Sequence, residues 1–212
     1  MEETELKNLS SDSFILIVNI FDENSVNDAT PAFVKKIIDA LPFIVDDGTL
    51  NALISILVCV CPTFEQRSSE DNPVTAEFVN PDKEQFYKEK LLFLANRGSV
   101  YRLEKCMETI GVLLQNKKTV EMFNENDVDF VVDVAIRELG APNKVQARIE
   151  TLKVLNIILD HEPYWQYYRH RLVELDSLCE AQIMFEDEDK PYMAQELMQL
   201  STLNHKLSIR AK

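Results

Sequence analysis

Residues 150–158 read ETLKVLNII, and residues 108–116 read ETIGVLLQN. The two segments begin 42 residues apart, and each is followed by a short polar turn and a further run with apolar residues three and four positions apart. Taken singly, either segment is only an amphipathic helix, because side chains at that spacing share one face of a 3.6-residue turn. Their repetition says more. A period near 42 built from two or three helices belongs to armadillo and HEAT arrays, in which each unit buries its apolar face on the next. LNALISILV, 50–58, reads as an earlier copy displaced from register, and an irregular helical bundle is the alternative.

Working outward from the repeat, the chain has only four glycines and almost no alternating strand pattern, so it reads as all-α. Thr30 and Pro31 form an N-cap followed by proline at the first helical position, opening a helix through AFVKKIIDALPFIV that stops at the aspartates and Gly48. Thr49 or Asp47 then caps LNALISILVCVC. Further helices are expected over about 11–22, 82–96, 99–116, 127–139, 143–159, 163–185 and 191–206. The stretch PTFEQRSSEDNPVTAEFVNPDKE, 62–84, carries three prolines and no sustained period, so it reads as a long loop inserted into a single armadillo-like domain covering 1–212. EDEDK, 186–190, reads as a solvated acidic turn.

With 212 residues and 46% hydrophobic content, the chain is long enough to bury a sizeable core. Thirty-six acidic residues against 22 basic ones give a formal charge of −14, which repels phosphate backbones and argues against a nucleic-acid partner. The longest apolar run, FILIVNIF at 14–21, is too short for a bilayer span, and no leader pattern precedes it, so no membrane insertion is expected and the chain reads as soluble and intracellular. Cys59, Cys61, Cys106 and Cys179 all fall within apolar helical patterns, where buried reduced thiols are the simplest account.

HEPYWQYYRHR, 161–171, concentrates aromatics and two of the three histidines. Pro163 fits the first turn of a helix, with Asp160 or His161 before it and Glu162 favoured by the positive end of the helix dipole. From there Trp165, Tyr168, Leu172, Leu175 and Cys179 recur at three and four and form one stripe, flanked by Tyr164 and Leu178, so the aromatics are packing anchors. His161 and His170 do not share a face, and Cys59 and Cys61 point to nearly opposite sides of their helix, so a zinc site would need distant ligands. NENDVD, 124–129, lacks the glycine and the distal glutamate of a calcium loop. It reads instead as a helix start, with Asn124 or Asn126 as cap, Asp127 and Asp129 in the first turn, and Arg137 and Gly140 at the far end. Asp133 and Arg137 are then an i, i+4 ion pair on the polar face. Neither a phosphate-binding glycine loop, a nucleophile elbow nor an HExxH zinc motif occurs, so no enzyme, cofactor or catalytic metal is expected.

Three segments taken in order, MFNENDVDFVVDVAIREL, ARIETLKVLNIIL and HEPYWQYYRHRLVELDSLCEAQIMFEDED, resemble the C-terminal region of the WISH/DIP/SPIN90 family. The likeness rests on the asparagine and acidic helix start with DVD, the Pro-Tyr helix entry followed by HRL, and the acidic turn before the last helix, and it covers about 105–200. It implies an armadillo domain that binds the Arp2/3 complex and activates it without a preformed filament, seeding linear actin filaments in the cytoplasm at cortical actin patches, as in endocytosis. Actin would be reached indirectly, through the complex. The SH3 domain and proline-rich segment of some relatives are absent from this chain. On the armadillo reading, the polar faces of the 127–139 and 163–185 helices supply the candidate partner surface: Asp129, Asp133 and Arg137 on the first, and Gln166, Arg169, His170 and Glu174 on the second. A general armadillo adaptor for another protein or peptide is the alternative.

Overall fold

The structure, a computed structural model, describes residues 30–67, 72–79, 84–97, 100–140, 145–161, 170–184 and 193–210. Among them there is no strand. The chain divides into two compact units, Met1–Arg97 and Gly98–Lys212. The expected helix at 11–22 lies outside the described residues, as do Tyr164, Trp165 and Tyr168 of the aromatic stripe and the acidic turn at 186–190.

In the first unit, α1 (Pro31–Ala40) starts as the sequence indicates: the Thr30 hydroxyl accepts the Phe33 N–H at 3.2 Å, and Pro31 occupies the first turn. It is shorter than its apolar pattern suggested. Pro42 has no N–H to continue the ladder, so the chain tightens into a 3-10 turn at Leu41–Phe43 and is extended at Ile44. The cap of α2 (Asp47–Arg67) is Asp46 rather than Thr49 or Asp47, because its Oδ2 accepts the Thr49 N–H at 2.6 Å and its carbonyl accepts the Leu50 N–H at 3.0 Å.

The stretch read as a loop from 62 is helical over much of its described length. The α2 helix runs through Pro62 to Arg67, and α3 (Pro73–Phe78) follows. An interior proline costs about 3 kcal/mol of helix propensity. Tertiary burial outweighs that cost, since Val60 and Cys61 are fully buried and Phe64 nearly so, while the Thr63 hydroxyl donates to the Val60 carbonyl at 2.7 Å. Asn72 repeats the device of Thr30: its Oδ1 accepts the N–H groups of Val74 and Thr75 with proline at the first helical position, and its Nδ2 donates to the Cys61 carbonyl at 2.9 Å. One side chain therefore starts α3 and fastens it to α2. The fourth helix, α4 (Glu84–Arg97), closes the unit and buries Tyr87 beside Phe78, with ring centroids 5.5 Å apart. Asp47–Phe64 of α2 is long and apolar enough to cross a membrane, with mean hydropathy 1.5, and 78% of that window is buried, as befits a core helix.

The second unit contains α5 (Val100–Gln115), a 3-10 turn at Val120–Met122, α6 (Glu125–Leu139), α7 (Val145–Asp160), α8 (Leu172–Met184) and α9 (Met193–Arg210). The central element is α7, which packs against α5, α6 and α9 and is buried on nearly every side. Its contacts with α9 occur in the same order along both helices: Arg148 with Glu196, Asn156 with Gln199, Asp160 with Lys206. The two helices therefore run parallel. On the other side α5 packs against α7 at Gly111, where an added Cβ would make ordinary contact with Cδ1 of Ile157 at 3.5 Å. Helices α5, α7 and α9 form one layer, and α6 and α8, which contact each other as well as α7 and α9 respectively, form a second. This is the all-α helical-repeat fold expected from the sequence. The repeated segments at 108 and 150 fall on α5 and α7, neighbouring helices of one layer.

All four cysteines are buried, and none forms a disulfide. Burial, reinforced by Asp176, pushes the Cys179 thiol up to about 12. The reactive thiolate is therefore scarce at neutral pH. We expect a chromogenic disulfide reagent at pH 8 to modify these thiols in the native protein far more slowly than in urea, where all four should titrate. A fast-reacting stoichiometric thiol in the native protein would contradict this burial.

Candidate partner-binding surface

Helix α6 begins where NENDVD suggested, and the structure selects Asn124 as its cap. Asn124 Oδ1 accepts the Asp127 N–H at 3.1 Å while Asp127 Oδ2 accepts the Asn124 N–H at 2.9 Å, a reciprocal capping box. Glu125 and Asp127 occupy the first turn, so Asp129 stands just beyond it. Gly140 follows the helix with ordinary right-handed backbone angles, so its conformational freedom is not used there.

Asp129, Asp133 and Arg137 lie at successive i, i+4 positions of α6, but the expected pair between Asp133 and Arg137 is not the one formed. Arg137 Nε donates to Glu138 Oε1 at 2.9 Å, and Asp133 instead binds Arg171. Arg171 also donates to Glu174 Oε2 at 3.2 Å and stands 3.8 Å from Asp129 Oδ1. The forked guanidinium can address several carboxylates at once, which a single i, i+4 pairing on α6 would not exploit. Burial opposes the charge on Arg171, but Glu174, Asp133 and Asp129 together hold its pKa above the ordinary value.

The candidate residues therefore divide. Asp129, Asp133 and Glu174 converge from α6 and α8 on Arg171; Arg137 turns to Glu138; His170 is exposed beside Arg171 in the chain. Gln166 and Arg169 lie outside the described residues. Arg171 is the member that the sequence reading passed over, although it stands in the HRL segment. In the sequence it falls inside the expected 163–185 helix, whereas in the structure residues 170 and 171 form a turn and the helix starts at Leu172. The Arg171 carbonyl accepts the Leu175 N–H, which puts this arginine at the start of α8, where the helix dipole disfavours a cation. Such a placement calls for carboxylates on a neighbouring element, and the Asp129–Asp133 edge of α6 provides them. The resulting patch has three carboxylates around one guanidinium, all at least partly open to solvent, and so keeps an acidic excess.

A family model described as SPIN90/Ldb17, leucine-rich domain, matches residues 46–175. The chain belongs to the SPIN90/Ldb17 family. No curated protein matches it. The SPIN90/Ldb17 match begins at Asp46, the cap of α2, and ends at Leu175 in the first turn of α8. It thus takes in the whole patch around Arg171, and it reaches further toward the N-terminus than the 105–200 resemblance while stopping short of α9.

Proposed function

We propose that this protein is an actin nucleation-promoting factor that binds the Arp2/3 complex and activates it without a preformed filament, so that linear filaments are seeded. The match to the SPIN90/Ldb17 leucine-rich domain over 46–175 carries this reading. The helical-repeat architecture supports it, because stacked helices offer a broad, rigid surface to a large partner. Activation requires that the protein bind the active arrangement of the complex more tightly than the inactive one; tight binding to both would change nothing. The role is one of binding rather than catalysis, exercised in the cytoplasm at cortical actin and serving endocytosis. Actin is engaged through the complex, and no cofactor or nucleic acid takes part.

Within this reading, the acidic patch of Asp129, Asp133 and Glu174 around Arg171, with Arg137, His170, Gln166 and Arg169, forms part of the contact surface. The test is assembly of fluorescent actin monomers with the purified protein and the Arp2/3 complex, without seeds, followed by imaging. Fast assembly into unbranched filaments is expected only when the complex is present. Asp133→Lys, a charge reversal at a half-exposed position, should slow assembly several-fold, most strongly at low salt. Equal assembly with and without the complex would overturn the proposal. Absence of acceleration by a folded protein would favour an adaptor for another partner.

A further inference from the structure

A groove of about 380 Å³ runs along the seam of α5 and α7 and is also lined by Gln199 of α9. That volume falls at the lower end of ligand-binding pockets. Its floor is apolar, formed by Met107, Val154 and Ile157, and Gly111 keeps it open because no side chain projects there from α5. Two amides, Asn156 and Gln199, also line it. Asn156 is only 6% exposed, and its Nδ2 donates to both the carbonyl and Oε1 of Gln199 at 3.1 and 3.0 Å. Its Oδ1 is buried with no donor. An orphaned buried acceptor of this kind is costly and marks a place where a donor is wanted.

The charges around the groove narrow the choice of ligand. Glu108, Glu150 and Asp160 line it, but each is already paired within the chain, with Lys105, Lys153 and Lys206 respectively at 2.8–2.9 Å. No strong net field is left to select an ion. What is unfilled is an apolar floor ending in an amide that lacks one N–H, which is the complement of a polypeptide main chain carrying an apolar side chain. The stretch of α5 from Met107 to Gln115 extends about 12 Å at 1.5 Å per residue, enough for roughly three or four residues of extended chain.

We propose that this groove binds a short, extended, uncharged peptide segment of a partner protein, whose main-chain N–H is accepted by Asn156 Oδ1 and whose apolar side chain rests on the floor beside Gly111. The Gln199 carbonyl and Oε1 hold the Asn156 amide through Nδ2, which leaves Oδ1 for the peptide. The site stands on its own geometry, so complex-dependent actin assembly could hold while this groove proves empty, and the reverse.

The experiment pans a phage-displayed library of random linear peptides on the full chain and measures the affinity of an enriched peptide by fluorescence anisotropy. Asn156→Leu, which removes the acceptor, and Gln115→Trp, which fills the exposed end of the groove, should each weaken binding about tenfold or more, the loss expected for one buried hydrogen bond or a blocked subsite. Thr202→Trp, on the exposed side of α9, should have no effect. Methylating the peptide nitrogen that meets Asn156 should cost about tenfold on the native protein and little on Asn156→Leu. If Asn156→Leu fails to fold by circular dichroism, Gln115→Trp carries the test. Failure of the library to enrich any peptide, or enriched peptides that bind Gln115→Trp as tightly as the native chain, would overturn the assignment.

Discussion

Replacing Arg148 by alanine should destabilise the second unit by about 3–5 kcal/mol, the range seen when one partner of a buried ion pair is removed. Arg148 Nε and one terminal nitrogen donate to the two carboxylate oxygens of Glu196 at 2.6 and 3.2 Å, and the side chains are only 14% and 10% exposed. The pair joins α7 to α9 at the point where the two helices enter their shared interface. Without Arg148, the Glu196 carboxylate stays buried and must either remain charged without this partner or take up a proton. Replacing both residues together, Arg148→Met with Glu196→Leu, should recover most of the loss, because the penalty arises from the stranded charge rather than from the absence of the pair. Urea denaturation followed by far-UV circular dichroism, with hydrogen exchange of α7 and α9 to assign the loss to this unit, measures both effects. A loss below about 1 kcal/mol for Arg148→Ala would place the pair with ordinary surface ion pairs and would mean that α9 is held by its apolar residues and its remaining polar contacts.

That pair also shows where sequence reading stops. Helix positions were legible because apolar spacing and caps are local: Thr30-Pro31 and the asparagine at 124 state their roles within four residues, and Val100–Gln115 and Val145–Asp160 fall close to the ranges the pattern indicated. The contacts that fix one helix to another are not local. Arg148 meets a glutamate 48 positions away and Arg171 an aspartate 38 positions away, and in a chain with 36 acidic residues spacing alone cannot choose among partners. The nearest-neighbour rule therefore assigned Asp133 to Arg137, and the fold gave it to Arg171. The reading of 62–84 failed for a related reason. Three prolines outweighed a signal already recognised elsewhere, since Asn72-Pro73 is the same cap-and-proline start as Thr30-Pro31, and the burial that carries α2 past Pro62 is a tertiary effect.

The 42-residue repeat makes a prediction of comparable size. Ile110 and Leu152 hold the same place in the two copies, and both are fully buried. In a stacked array each such side chain fills the interface between neighbouring helices. Leu152→Ala should therefore cost about 2–5 kcal/mol, combining lost apolar transfer with the cavity left behind. Its position on α7, between α5 and α9, argues for the upper half of that range, because a central helix packed on several sides can collapse less into the space. Lys153→Ala, one residue along, is the control: its side chain is 38% exposed and pairs with Glu150, so a change within about 1 kcal/mol is expected. Hydrogen exchange separates this from a merely local effect. If α5, α7 and α9 are one cooperative layer, Leu152→Ala will raise amide exchange in all three by a similar factor. If exchange rises in α7 alone, the helices open one at a time, and the repeat describes how the sequence is written without setting how the unit unfolds.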